Sequence, residues 1–532
     1  MSPFLNTSSN PVSPRQVSPP PRPSSTPFLR PENHCADDCG IGSSDYDSDS
    51  ELYDSASTVF LDRPSAAFEE LPIEVNEAIL DHLFGYRVSA TSGSAMRISS
   101  VTRSWGTALR HSRRRELTEL ALVNRTWRVL IQQRLYRHVK LKATVESLEE
   151  AMVHFAEHEH LKNYVKHIEI WFPVFQPAYD PLAVPTTLTL PTVTSDGLTN
   201  AVYTLPKNNC TLEEAFRFVA HALPQATVLT LEGGERRKAP MVVHFHPGLG
   251  PRPLPVLDSI QTLVTKGQWN LMREDRDFAT VLGALPNLVE WQASYHKPKS
   301  KSYITMSEFL PYLPNHLTNL NICLESDYRW EGVTPSFYTK VTQRTHICVR
   351  MAACLPALEH FAYTGRVCHQ FFDVAARICD PRVTKLKSVD LTVKNCCRHV
   401  ANIHESGSGI QDMGFIEAFE RLVYSAVRAL DKLKQVQYLR IRFMDLDSVL
   451  PPLNPYFLMR DGKCSGVWSE AIVREMARVR PENSFAELSE TFGDVVYNKE
   501  GRMVIAPEYP RTKITSLKLS NYRSLATRIT IQ

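Results

Sequence analysis

Three short stretches carry the residue types that bind metals or move protons. In "HFAEHEH", His154 and His158 lie one helical turn apart with Glu157 and His160 beside them, a spacing that places two imidazoles on one face. Zinc could bind there, but no thiolate is at hand and the helix is heavily charged, so a solvated surface is the simpler reading. "CCRHVANIH" supplies Cys396, Cys397, His399 and His404, yet adjacent cysteines rarely share one ion. His34, Cys35 and Cys39 form half of a metal clip with no second ligand pair nearby. Glu69-Glu70 and Glu149-Glu150 fall on exposed-looking helix positions and do not suggest acid–base work. The basic run "RHSRRR" from Arg110 to Arg115 reads as a nuclear address, a phosphate contact or, most simply, a solvated stretch. A Gly-rich phosphate loop, a nucleophile elbow and a His-Glu-x-x-His motif are all missing. The expectation is a chain without a catalytic centre, resident metal or cofactor.

The bulk properties agree with a folded, non-enzymatic protein. Of 532 residues, 43% are hydrophobic and 22% charged, enough to build a core over two or more domains or one long repeat array. Sixty basic side chains against 57 acidic ones give a net charge of +3. That balance argues against a nucleic-acid partner or an anionic membrane surface. The opening residues do not read as a signal peptide, and no run approaches the roughly 18 apolar residues of a membrane span. The 11 cysteines are scattered, several within apolar runs, as expected of reduced core residues in a cytoplasmic or nuclear protein.

Residues 1–67 form a separate compositional block. A Pro/Ser-rich segment runs into the acidic "SSDYDSDSELYDSAS", which cannot bury enough apolar surface to offset its ordering entropy and is expected to be disordered. Ser13, Ser18 and Thr26 precede prolines, while Ser48 and Ser50 sit among carboxylates, so phosphorylation there is easy to reach. Order is expected from Phe68. "LPIEVNEAILDHL" spaces Leu71, Val75, Ile79 and Leu83 four apart, a one-faced helix with Pro72 in its first turn. A Gly/Ser/Arg-rich insertion at 84–116 interrupts the pattern. Leu117, Leu120, Val123, Trp127, Leu130 and Ile131 then restore a helical apolar face.

From 143 to 532 the chain repeats a Leu-Pro dipeptide, at Leu223, Leu254, Leu285, Leu313 and Leu355, mostly about thirty residues apart. Each is followed by a strand-like segment, and helix-like segments such as "TLEEAFRFVAHA", "DFATVLGA" and "HICVRMAAC" precede several of them. Proline stops the helix and the chain turns into a strand. Such a unit cannot bury its own face, whereas a stack of about eight to ten can. The expected fold class is therefore a mostly α module followed by α/β, with irregular helix–strand units resembling a degenerate leucine-rich-repeat solenoid. A compact α/β domain whose strands happen to follow Leu-Pro is the alternative. Looser copies occur at "HLKNYVKHIEIWF", "VTKLKSVDLTV", "LDKLKQVQYLRIRF" and "TKITSLKLSNY".

Together, "LPIEVNEAILDHL" and "LALVNRTWRVLIQQRLYRHVKL" resemble an F-box of the fungal variety, over about 45 of the 532 residues. The likeness rests on Leu71, Pro72 and Glu74, on Ile79, Leu80 and Leu83, and on Val123, Arg125 and Trp127 before the Leu-Tyr-Arg-His exit. A rival register, "VTRSWGTAL" around Trp105, lacks that exit, and the long spacer departs from the family pattern. The resemblance implies a three-helix module, 68–142, that docks on a Skp-type adaptor and through it a cullin. Leu71, Pro72, Glu74, Val75, Ile79, Leu80, Leu83, Val123 and Trp127 are the implied adaptor-binding positions, with Trp127 better suited to anchoring the core. The function implied is that of a substrate-recognition subunit of an SCF-type ubiquitin ligase. The alternatives are an interaction scaffold whose F-box is disabled or works outside any ligase, and an enzyme of unfamiliar chemistry. On the repeat logic, the outward strand positions Thr230, Asn321, Asp390, Arg440, Arg442 and Lys518 would face a target protein.

Overall fold

A computed structural model describes residues 71–84, 114–172, 176–177, 203–204, 208–234, 241–246, 248, 250, 252–295, 300–324, 346–395, 413–443, 454–490, 495–497, 503–505, 516–522 and 530–531. All of them belong to one compact unit, Ser65–Gln532. The N-terminal tail, residues 85–113 of the insertion, the Trp105 register, Cys35/Cys39 and the Cys396–His404 stretch lie outside the described residues.

The first ordered helix, α1, spans Ile73–Phe84. Pro72 precedes it and its carbonyl accepts the first helical bonds, from Val75 N at 3.0 Å and Asn76 N at 3.2 Å. The apolar stretch expected as one helix after the insertion is two: α2, Arg114–Leu120, and α3, Arg125–Tyr136. The break is set by Asn124, whose backbone is extended and whose side chain accepts from Trp127 N at 2.7 Å, an N-cap that starts a new helix. Leu80, Leu117, Trp127, Leu130 and Ile131 form a small buried cluster between these helices.

One residue after α3, at His138, the chain enters a 14-stranded sheet. Its first nine strands are all parallel and follow one another in chain order: β1 His138–Lys142, β2 His167–Trp171, β3 Val228–Glu232, β4 Thr262–Lys266, β5 Glu290–Ser294, β6 Asn319–Cys323, β7 His360–Arg366, β8 Ser388–Asn395 and β9 Tyr438–Phe443. Helices return the chain between strands: α4 Val145–Glu157, α5 Leu212–Ala222, α6 Asp275–Gly283, α7 Ser300–Phe309, α8 Ile347–Cys354, α9 Gln370–Ile378 and α10 Met413–Ala429. Only the β3–β4 connection lacks a long helix among its described residues. The protein is mixed α/β with a long, mostly parallel sheet, and its strand order is what a stack of helix–strand units produces.

Each Leu-Pro segment leads into one of strands β3 to β7. The leucine is a core residue in four of the five, with Leu223, Leu254, Leu285 and Leu355 all buried. Alternate strand residues, among them Leu229, Leu231, Leu263, Trp291, Leu320, Ile322, Phe361, Leu391 and Ile441, join the helix side chains in one continuous core on a single face of the sheet. Each contributes about 1.5–3 kcal/mol when fully buried. The strands share one register, His138 opposite His167, Val228, Thr262, Glu290, Asn319, His360, Ser388 and Tyr438 in turn. Their C-terminal ends consequently lie along one rim.

After β9 the run of parallel strands is interrupted. Next comes a hairpin of β10 Tyr456–Arg460, antiparallel to β9, and β11 Lys463–Trp468, antiparallel to β10. Its loop is Asp461-Gly462, with φ of 50° and 75°, the left-handed pair a two-residue hairpin turn requires. Helix α11, Glu470–Val479, then packs beside α10, and short strands at Ser484–Phe485, Leu488–Ser489 and Ser516–Lys518 complete the sheet.

Candidate protein-binding surfaces

Two surfaces present side chains to the outside: the helical module and the face of the sheet away from the helices. In the module, α1 and α3 are clamped by polar groups. The Trp127 indole N–H donates to Asn76 Oδ1 at 2.8 Å, and Asn76 Nδ2 donates to the carbonyls of Leu71 and Pro72 at 3.0 and 3.3 Å. The buried Arg134 guanidinium pairs with Asp81 and donates to the Glu77 carbonyl at 3.2 Å. This clamp sets which side of α1 turns inward. Asn76 and Leu80 are the inward residues, while Val75 and Leu83 are 40% and 48% exposed.

The implied adaptor-binding positions therefore separate. Pro72, Glu74, Val75, Leu83 and Val123 are exposed, Leu71 and Ile79 are half-buried, and Leu80 and Trp127 sit inside the cluster. Leu80 and Trp127, 0% and 5% exposed, are not presented at the module surface. Two exposed apolar residues were not foreseen, Ile73 at 51% and Leu122 at 79%. The clamp residues Asn76, Asp81 and Arg134 were also missed; the signal was a polar residue in step with the apolar Leu80 on a four-residue spacing.

On the open face of the sheet, the shared register lines side chains into rows. The central row reads Lys140, Glu169, Thr230, Val264, Gln292, Asn321, Ala362, Asp390 and Arg440. All six residues expected to face a target lie away from the helical core, but most are engaged with neighbours. Thr230 is fully buried, its hydroxyl 2.8 Å from His167 Nε2; larger side chains on flanking strands enclose it, so it is not presented as expected. Asp390 and Arg440 form a two-pronged ion pair, with Nε to Oδ1 at 2.9 Å, and the guanidinium also lies over the Tyr438 ring. Arg442 Nε donates to Thr392 Oγ1 at 3.0 Å. Lys518 bridges Glu470 and Glu490 at 2.8 and 3.2 Å above Trp468. Asn321 is half-buried mid-row.

The first strands of this face carry a buried charged cluster. Glu169 is buried, with Lys140 Nζ at 2.7 Å, His138 Nε2 at 3.4 Å and Lys266 Nζ at 3.6 Å. Burial pushes its pKa up, but the hydrogen bonds from His138 and Lys140 and the charges of Lys266 and Lys140 outweigh that and hold the carboxylate well below the usual range. Glu290 shows the opposite balance. Burial raises its pKa, only partly offset by hydrogen bonds from Gln292 and Thr262. The His138 and His167 rings stack beside Glu169 with centroids 4.1 Å apart.

The "HFAEHEH" histidines do not converge on a metal position. His154 stacks on Tyr136 at 5.8 Å and on His158 at 4.8 Å, and its Nε2 is 3.0 Å from the Tyr136 hydroxyl. Among the described residues one group of metal-binding side chains does converge: His346, Cys348 and Cys368, with donor atoms all within 4.8 Å of one another. Sequence spacing could not reveal it, since Cys368 is brought in from the next repeat unit.

No protein-family model matches the chain, and no curated protein matches it. Among solved structures it is similar to the leucine-rich repeat-containing protein LegL7 from Legionella pneumophila, at 9% identity over 70% of this chain and 97% of that one, with a TM-score of 0.27. No helix among the described residues is long and apolar enough to cross a membrane.

Proposed function

We propose that this chain is the substrate-recognition subunit of a cullin-RING, SCF-type ubiquitin ligase. Residues 68–142 act as an F-box that docks on a Skp-type adaptor, and residues 143–532 hold a target protein on the open face of a leucine-rich-repeat-like sheet. The chain performs no chemistry of its own. It works in the cytoplasm or nucleus by holding the target near the ubiquitin-loaded enzyme.

The observation that carries this reading is the apolar surface the module leaves uncovered. Ile73, Val75, Leu83, Leu122 and Val123 are 40–79% exposed, although α1, α2 and α3 already share a core. Exposed aliphatic residues on a small helical module suit a helix-packing partner, and they occur within the stretch whose residues resemble an F-box. The junction supports the proximity argument. Leu135 packs into the module cluster, its neighbour Tyr136 packs against the large core, and the Arg137 carbonyl accepts from Lys166 N and His167 N at 3.0 and 2.9 Å.

The test is capture of a purified Skp-type adaptor by the full chain, wild type beside a Val75→Asp/Leu122→Asp variant. Both positions are exposed, so the variant should fold. Wild-type capture that the variant weakens by about thirtyfold, the scale of a 2 kcal/mol hot spot, is the expected result. A wild-type chain that binds no adaptor would sink the ligase reading in favour of a ligase-independent scaffold.

A further inference from the structure

We propose that His346, Cys348 and Cys368 bind a single soft divalent metal ion, with Zn²⁺ the natural occupant. His346 immediately precedes α8, Cys348 lies in its first turn, and Cys368 sits between β7 and α9. The three donor atoms lie within 4.8 Å of one another, and His346 Nε2 is 3.2 Å from Cys368 Sγ. Ligand atoms around a tetrahedral zinc, with bonds of about 2.0–2.3 Å, stand about 3.5–3.8 Å apart. Drawing the more separated donors together by about 1 Å, and easing His346 and Cys368 a few tenths of an ångström apart, would seat an ion.

Backbone groups beside the sulfurs suit metal-bound thiolates. The Cys368 backbone N–H donates to Cys348 Sγ at 3.3 Å, the kind of contact that steadies a coordinating sulfur. Cys348 also lies in the first turn of α8, where the partial positive charge of the helix start complements a metal-bound thiolate. A single His–Cys hydrogen bond would account for two of these groups; the convergence of the third marks a site. Binding converts two thiols to thiolates and releases two protons, and Zn²⁺ with two thiolates and a neutral imidazole is uncharged overall. That suits Cys348 and Cys368, both almost fully buried. The thiolate and imidazole donors disfavour Ca²⁺ and Mg²⁺. Three protein ligands leave a fourth position for water on the side of the half-buried His346.

The test uses the full chain, reduced and stripped of metal, titrated with Co²⁺ and then Zn²⁺. The expected result is one equivalent of Co²⁺ showing thiolate charge-transfer and tetrahedral d–d bands, displaced by Zn²⁺. These bands should disappear in Cys348→Ser/Cys368→Ser, and binding should weaken at least tenfold in His346→Ala, a half-buried position whose circular dichroism should match the wild type. Bands that persist unchanged in the double cysteine variant would place the metal elsewhere and overturn the assignment. So would the absence of bands in the wild type, or a Cys348–Cys368 disulfide found by peptide mapping of the chain as isolated under reducing conditions.

Discussion

Trp127 and Asn76 show how much one side-chain pair decides. The bond between them fixes which face of α1 turns inward and so which leucines and valines stay wet. Trp127→Phe should lower module stability by about 1–3 kcal/mol, because Asn76 Oδ1 loses its buried donor; amide hydrogen exchange across Arg125–Tyr136 in the full chain checks this. Glu169 and Glu290 make predictions of opposite sign. Glu169 is held below its unfolded value of 4.5, so its pairing stabilises above about that pH and is lost as pH falls through the depressed folded value. Glu169→Gln should therefore cost about 3 kcal/mol at pH 7, with the gap to wild type narrowing on acidification below 4.5. Glu290 is raised above 4.5, so its contribution is present below that pH and lost as pH rises through the folded value. Glu290→Gln should raise the melting temperature at neutral pH, and the gain should vanish in acid. Neither carboxylate was legible in the sequence, nor was the enclosure of Thr230. Each is set by residues one or two strands away, such as Lys266 against Glu169, which no local pattern connects.

At the scale of elements, the Leu-Pro punctuation was legible because it is a local covalent effect: proline ends a helix wherever it stands, and the leucine beside it needs only a core to enter. The two-helix break at Asn124 was less so, since the apolar spacing runs through it and only the capping side chain marks the stop. The β10–β11 hairpin announced itself through Asp461-Gly462, an overlooked signal. It also contains the tightest glycine of the sheet end. A Cβ on Gly466, at φ of 101°, would lie 2.0 Å from the Tyr456 carbonyl oxygen, whereas one on Gly462 meets nothing closer than 3.8 Å. Gly462→Ala should thus cost about 1–2 kcal/mol, the left-handed penalty alone. Gly466→Ala should cost clearly more and free the hairpin, read as lost amide-exchange protection across Tyr456–Trp468.

For the whole molecule, strand order matters more than any one contact. Doubly wound sheets open a ligand crevice where the order of strands reverses; here nine strands advance without reversal, so that part of the sheet offers a broad face at its described residues. Each unit leans on its neighbours, and damage at the middle should spread both ways. Leu285→Ala, at a fully buried position, should cost about 2–5 kcal/mol and broaden urea unfolding by uncoupling the two halves of the sheet. The common register carries a different consequence for the history of the chain. Connections of very unequal length depart from one rim, after Trp171, Glu232, Ser294, Cys323, Asn395 and Phe443. Lengthening any of them shifts no strand against its neighbour, and doubling a loop costs only about 0.6 kcal/mol. A Gly-Ser segment added after Leu324 should leave the unfolding midpoint nearly unchanged, while the same segment between Ala284 and Leu285 should not be tolerated. Growth and diversification can accumulate along that border while the ladder beneath keeps its alignment.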